Sequence, residues 1–123
     1  MKARHISAAE WEVMNLVWAR SPISSAEIVD ALAAKKSWRP RTIRTLVDRL
    51  ARKAILAVDL TVKPQLYRPR VSREDCVRTE SRSFLDRVFG GEPAALLLHL
   101  AKETELTATD LKKLKQILSE KKK

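Results

Sequence analysis

Apolar residues in the first half of the chain recur at helical spacing in three successive segments. The first begins at Ser7, which with Glu10 makes an S-x-x-E box in which each side chain satisfies a backbone donor of the other. Trp11, Met14, Leu16, Val17 and Trp18 follow, and Ser21-Pro22 stops the helix. As large aromatics, the tryptophans are expected in the core. Ser24 and Glu27 repeat the box and open a shorter helix with Ile28, Val29 and Leu32 on its buried side. That helix fades through Ala34-Lys35-Lys36-Ser37.

The third segment, WRPRTIRTLVDRLARK at residues 38–53, has two unlike faces. Ile43, Leu46, Val47 and Leu50 fall at i, i+3, i+4 and i+7 and make one apolar stripe. Arg41, Arg44, Thr45, Asp48, Arg49 and Arg52 point elsewhere. Pro40 suits the first helical position, where its missing N–H costs nothing. Arg39 is a poor N-cap, which leaves the first-turn amides open to another acceptor such as a phosphate. Arginine reads guanine bidentately and a threonine methyl can meet the thymine methyl, so this face suits a DNA groove. A charged helix bathed in solvent shows the same pattern, and the rest of the chain decides between the two. Helix, helix, short connector and basic amphipathic helix is the order of a helix-turn-helix.

The period then changes. In ILAVDLTVKPQLYRPRV, residues 55–71, β-branched residues, a tyrosine and two prolines read as two strands joined by a turn. Pro64 and Pro69 are expected at strand edges or ends. Lys63, Arg68 and Arg70 make the hairpin basic, as befits a wing tracking a phosphate backbone; an ordinary surface hairpin is the alternative. From Ser72 onward the chain is helical. Ser72 and Asp75 open a helix carrying Val77, Phe84, Leu85, Val88 and Phe89, which Gly90-Gly91 ends. Pro93 starts AALLLHLAKE, and Thr107 with Asp110 caps a last helix striped by Leu111, Leu114, Ile117 and Leu118. Lys121-Lys122-Lys123 reads as a frayed tail.

The fold class is therefore mainly α with a small β-hairpin wing: a winged helix-turn-helix domain at 1–71 and a helical region at 72–123. The latter has more apolar side chain than three short helices cover, Leu96, Leu97, Leu98 and Leu100 being apolar nearly all round. A two-fold interface between copies would cover it, through Phe84, Val88, Leu97, Leu100, Leu111, Leu114, Ile117 and Leu118. Folding back onto the first domain is the other solution.

Charge sharpens the division. The chain of 123 residues carries a formal +10, which points to a polyanion. Residues 1–71 hold 14 Lys/Arg against 6 Asp/Glu, and residues 72–123 hold 11 against 9. The polyanion binder is thus the first part. One cysteine, Cys76, excludes an internal disulfide and a zinc-type cluster and reads as a buried inert thiol. No apolar run approaches a membrane span, and the start MKARHISAAEWEVM lacks a signal-peptide core, so a cytoplasmic protein without membrane insertion is expected. Catalysis has little support: His5 and His99 are far apart, Cys76 has no base beside it in sequence, and no Gly-rich phosphate loop occurs. His5, beside Lys2 and Arg4, either brushes a phosphate or belongs to a disordered tail, and His99 either packs or sits at the dimer rim. No cofactor or metal is expected. A winged helix docking on an acidic protein partner is the rival to DNA binding.

With these elements placed, the sequence resembles the penicillinase-repressor (BlaI/MecI, with CopY) family of bacterial winged-helix regulators. The resemblance lies in ISAAEWEVMNLVW at residues 6–18, SWRPRTIRTLVDRLARK at 37–53, and Tyr67-x-Pro69 with VSRED after the wing. It implies a homodimeric repressor on a palindromic double-stranded operator, dimerised by its C-terminal helices, with the third helix in the major groove. By position, the groove residues it implies are Arg41, Thr42, Arg44, Thr45 and Arg49, with Lys63 and Arg68 in the wing. Departures are Ala54 where a glycine is usual, and a wing tip without Asp-Gly or Asp-Asn. Antibiotic-responsive members are cut at an Asn-Phe bond to end repression, which implies a membrane sensor-protease as a further partner. The matching position here is His99-Leu100. The C-terminal cysteine motif of the copper-responsive branch is absent, which argues against copper sensing.

Overall fold

The computed structural model describes residues 5–122. In chain order it has α1 (Ala8–Arg20), β1 (Ile23–Ser24), α2 (Ser25–Lys36), α3 (Pro40–Arg52), β2 (Leu56–Asp59), β3 (Leu66–Pro69), α4 (Arg73–Phe89), α5 (Pro93–Glu103) and α6 (Ala108–Lys121). Packing divides it into two compact units, one ending at Thr79 and one starting at Glu80. The break in packing falls inside α4, whereas the change from strand to helix falls at residues 71–72.

Local chemistry sets the helix ends. Ser7 and Glu10 exchange hydrogen bonds of 3.2 and 2.9 Å, and Ser24 and Glu27 exchange bonds of 3.2 and 3.1 Å. α2 stops at Ser37, a left-handed residue whose amide returns to the Ala33 carbonyl. Pro40 opens α3, and Arg39 ahead of it makes no side-chain cap. At the far end Ile55 N–H donates to Leu50 C=O and Ala54 N–H to Ala51 C=O, the paired bonds of a Schellman motif. Its left-handed position is filled by Ala54, at φ 60°. Leu50 and Ile55, which flank this turn, are both essentially inaccessible, so the reversal is held by burial as well as by hydrogen bonds.

The two expected strands pair antiparallel, Leu56 opposite Pro69 and Val58 opposite Tyr67. Pro64 lies in the connection and Pro69 is the last residue of β3. The sheet has a third member: β1 pairs with β3, Ile23 opposite Tyr67, which makes β3 central. Two residues are too short a run for periodicity to reveal, and only pairing with β3 makes them a strand. Met14, Val17, Ile28, Ile43, Val47, Leu50 and Ile55 form the fully buried centre of the core.

The tryptophans depart from the core placement expected of them. Trp11, Trp18 and Trp38 are only partly buried and pack against the core from its rim. For Trp18 the physical reason is visible, since its indole N–H needs an acceptor and finds the Val71 carbonyl at 3.0 Å. Cys76 is buried as expected, and burial together with Asp75 pushes its thiol up.

Periodicity also gives no sign of a buried ion pair. Glu10 is 1 % exposed, and its Oε1 takes the Lys53 ammonium at 2.6 Å as well as the Ser7 amide. Lys53 Nζ also donates to the His5 carbonyl at 3.2 Å. Burial works to raise the Glu10 carboxyl, but the bonds from Lys53 and Ser7 outweigh it and hold the group below the usual range. The start of α1 is thereby fastened to the end of α3.

In the second unit the caps are again local. Thr107 and Asp110 form a capping box at 3.2 and 3.0 Å, and Gly90 and Gly91 take positive φ beyond α4. α6 runs through Lys121, the first of the three lysines expected to fray, and Lys122 caps it in a turn; Lys123 lies outside the described residues. Phe89 packs against Phe84 and His99 with the rings tilted by 57° and 50° and centroids near 6 Å. Little is covered: Phe84, Val88, Leu97, Leu98, Leu100, Leu111, Ile117 and Leu118 are exposed, and Leu114 is half-buried.

Two stability predictions follow from these placements. An L-residue in the left-handed region costs about 1–2 kcal/mol, against about 0.5–1 kcal/mol of extra chain entropy for glycine. Ala54→Gly should therefore stabilise the protein by about 0.5–1 kcal/mol, read as a higher urea midpoint at unchanged slope. Lys53→Met strands a buried carboxylate and should cost about 2 kcal/mol at neutral pH, toward the low end for a broken buried pair because Lys53 is partly exposed. A lowered folded-state pKa gives stability that is present above the unfolded value, near 4.5, and is lost as pH falls through the folded value. The gap between wild type and Lys53→Met should accordingly close below that pH in paired urea melts.

Candidate nucleic-acid interface

The apolar stripe of α3 fixes what its other side can do. Ile43, Leu46, Val47 and Leu50 are between 0 and 5 % exposed, so the helix cannot rotate about its axis without uncovering them. At 3.6 residues per turn the opposite side is then committed to solvent. Arg41, Thr42, Arg44, Thr45, Asp48, Arg49 and Arg52 are all exposed there. Among the described residues none of these arginines enters an ion pair; the salt bridges involve Arg20, Lys36, Lys53, Arg78 and Arg82. Four guanidinium groups on one helix are thus free to meet external anions, with Asp48 the single acidic side chain among them.

Thr45 has a more specific geometry than its position implies. Its hydroxyl donates to the Arg41 carbonyl one turn back, at 3.0 Å. The proton is thereby used inside the helix, and what the side chain can offer outward is its methyl group and a lone pair. At the start of α3 the first helical bond runs from Ile43 N–H to Arg39 C=O. The amides of Arg41 and Thr42 precede it and have no intrahelical acceptor, so the helix begins with two open donors beside cationic side chains.

The hairpin adds a second cationic element. Lys63, Arg68 and Arg70 are exposed and, among the described residues, in no ion pair. Its tip is shaped by Asp59, whose Oδ1 accepts from the Thr61 amide at 2.9 Å and the Thr61 hydroxyl at 2.6 Å. These bonds hold the Asp59 carboxyl below its usual range. This side-chain turn takes the place of the glycine or asparagine expected in such a loop, a solution that turn-residue counting misses. Asp48 on α3 lies near enough to Tyr67 of β3 to help burial push the phenol up.

Elsewhere the structure offers little chemistry. Among the described residues no group of three or more His, Cys, Asp or Glu side chains is arranged to hold a metal ion. No helix of the described residues is long and apolar enough to cross a membrane. His5 is exposed, with its carbonyl used by Lys53, while Lys2 and Arg4 lie outside the described residues. His99 and Leu100 are exposed on α5, and Leu100 carbonyl accepts the amide of Thr104 at the helix end.

Three helices, a three-stranded antiparallel sheet and a cationic exposed third helix define a winged-helix protein. A family model described as penicillinase repressor matches residues 6–120, and the chain belongs to that family. The penicillinase repressor of Staphylococcus aureus is 33 % identical over 119 residues, spanning 97 % of this chain and 94 % of that one. The methicillin resistance regulatory protein MecI of S. aureus strain N315 is 32 % identical over 120 residues, 98 % of each chain. Among solved structures, the DNA-binding domain of the repressor BlaI is similar at TM-score 0.55 and 34 % identity, over 60 % of this chain and 90 % of that one. Bacillus licheniformis BlaI, in monomeric form with the blaP half-operator, is similar at TM-score 0.54 and the same identity and coverage.

Proposed function

We propose that the protein is a sequence-specific transcriptional repressor that binds a palindromic DNA operator as a homodimer. The observation carrying this is the face of α3: four exposed arginines in no ion pair among the described residues, on a helix whose rotation is fixed by a buried stripe. Such a face has no structural use for its charge. In this reading α3 enters the major groove, where Arg41, Thr42, Arg44, Thr45 and Arg49 meet base edges and phosphates. The Thr45 methyl is the part of that residue aimed at a thymine methyl, since its proton is already engaged. Lys63 and Arg68 follow the backbone from the wing. The likeness to BlaI, whose monomeric form was solved with a half-operator, supports the same docking here. A repressor of this kind works in the cytoplasm.

The second copy is argued from the unit that begins at Glu80. Phe84, Val88, Leu97, Leu100, Leu111, Leu114, Ile117 and Leu118 are exposed or only half-buried there, more apolar surface than a lone soluble unit carries. A two-fold pairing covers it and sets two α3 helices about one DNA turn apart, roughly 34 Å, or a multiple of that. Relief of repression by a membrane sensor-protease is a further part of this reading. The His99-Leu100 bond lies within α5, so a peptidase must unwind that turn before the bond takes the extended form that cleavage needs.

Affinity for the operator should fall steeply with salt, because each neutralised phosphate releases about one counterion. Arg44→Ala should cost ~1–3 kcal/mol and relax preference at a single base pair in quantitative mobility-shift assays. Equal weakening on every sequence, with the salt slope reduced by about one, makes Arg44 a phosphate contact instead. For the dimer, Leu111→Glu with Ile117→Glu should yield a monomer at micromolar concentration in sedimentation velocity. Binding to the full palindrome should then drop about tenfold or more, while a single half-site is bound as before. A wild-type chain that sediments as a monomer while binding the palindrome normally removes the two-fold reading.

A further inference from the structure

In the unit ending at Thr79, the large hydrophobic side chains left exposed among the described residues are Leu60, Val62 and Val77. Val77 lies on α4, but the other two stand together at the tip of the β2–β3 hairpin. Leu60 is 67 % exposed, the highest value for any large hydrophobic residue described in the chain. This unit otherwise buries its apolar side chains thoroughly, so a leucine held out in water is a local exception rather than loose packing. It is also held firmly. The paired bonds from Thr61 to Asp59 Oδ1 close the turn around Leu60 and fix the backbone from which it projects.

The surroundings identify what such a knob fits. Lys63, Arg68 and Arg70 are exposed in the same hairpin without an ion pair among the described residues. Lys63 shares the connection with Leu60, Arg68 lies along β3 opposite Ala57, and Arg70 sits at the foot of the hairpin with its amide on the Ile55 carbonyl. An apolar tip with cations along the strand below it is a poor match for a protein surface, because one leucine and one valine cover far less than the ~800 Å² per partner of a stable interface. It is a good match for the minor groove of duplex DNA. Two phosphate walls there accept the cations, and apolar side chains wedge between base steps at the floor.

We propose that Leu60, with Val62 two residues on in the same connection, is a minor-groove wedge: a specificity-determining contact through which the wing selects a deformable base step. The inference rests on the reading of α3 as the reader of base edges and adds a second, independent source of sequence preference. Leucine has no hydrogen bond to give, so its selectivity comes from the cost of opening the step. Flexible pyrimidine–purine steps such as TA and CA yield most easily, and stiff A-tracts resist. A G·C pair also places the guanine amino group on the groove floor, in the path of the side chain.

The test uses the full chain and duplexes that it recovers from a random-sequence library. Wild type, Leu60→Ala, Arg68→Ala and Arg44→Ala are titrated against versions of the recovered duplex that carry TA, CA, AA or GC at the step facing the wing. Wild type should rank TA and CA above AA and GC. Leu60→Ala should lose this ranking and bind the TA duplex about tenfold less tightly, with an unchanged salt slope because no cation is removed. Arg68→Ala should keep the ranking and lower the slope by about one. Arg44→Ala should keep the step ranking while its preference within the half-site relaxes. If Leu60→Ala matches wild type in affinity and step ranking while Arg44→Ala loses specificity, the wedge is wrong and the α3 reading stands. If no sequence is enriched by the wild type, the α3 reading falls and the wedge falls with it. If Leu60→Ala changes the oligomeric state and leaves DNA binding unmoved, the tip belongs to a protein contact and the proposal is overturned.

Discussion

Covering Ile43, Leu46, Val47 and Leu50 is the constraint on which the rest of the first unit turns. Four side chains at helical spacing define one line along α3, and withdrawing that line from water fixes the helix's rotation to within a fraction of a turn. Which arginines α3 turns to solvent follows from this. The ends are fixed separately. Pro40 sets where the helix begins, and the turn through Ala54 with its buried neighbours Leu50 and Ile55 sets where it stops. Lys53, one residue past the helix, is pinned to Glu10 at the start of α1. In the proposed reading the orientation of this face is set by the core beneath it and not by contacts among the arginines.

What the residues reveal in advance, and what they hide, divides along the line between local and tertiary causes. The three capping boxes involve partners three residues apart, and α1, α2 and α6 begin where Ser7, Ser24 and Thr107 say they should. The outward face of α3 is legible because a 3.6-residue period sorts Arg41 from Ile43 without reference to any other element. β1 is not legible, since Ile23 and Ser24 become a strand only by lying beside Tyr67 and Leu66. The Glu10–Lys53 pair is hidden for the same reason: Glu10 already has a sufficient local role in its capping box, and nothing nearby announces a lysine 43 positions away. Size alone puts tryptophan in the core, whereas Trp18 answers also to its N–H, which finds the Val71 carbonyl. The turn at the wing tip is hidden in the sequence because Asp59 closes it with its side chain and not with a backbone-permissive residue.

The second unit poses the opposite problem. Its helices are well defined at their ends by Thr107 and Asp110, by Gly90 and Gly91, and by Pro93, yet among the described residues of this unit Leu85 is the one large apolar side chain that is buried. Helices of 11 and 14 residues are marginal in water when their propensities stand alone. Their stability has to come from covering an amphipathic face, and the intramolecular packing leaves most of that face open. In the dimeric reading proposed above, the stripe of Leu111, Leu114, Ile117 and Leu118, locally well capped and poorly covered, is the surface that a second copy would cover.

Charge placement bears on which surface can play that part. Bringing two copies together costs least where each copy carries little net charge, because like charges at an interface are unfavourable and poorly screened once water is excluded. Residues 72–123 are close to balanced, with 11 cations against 9 anions, whereas residues 1–71 carry 14 against 6. The cationic half repels its own copy and is relieved only by a polyanion; the balanced half pays little for self-association and has the apolar surface to reward it. Self-pairing through the first unit would set arginine against arginine. Under the dimeric reading, then, pairing through the second unit leaves the strongest self-repulsion between the two cationic halves, where a duplex supplies the compensating phosphates. In that reading DNA binding and dimerisation would stabilise each other without either contact having to touch the other.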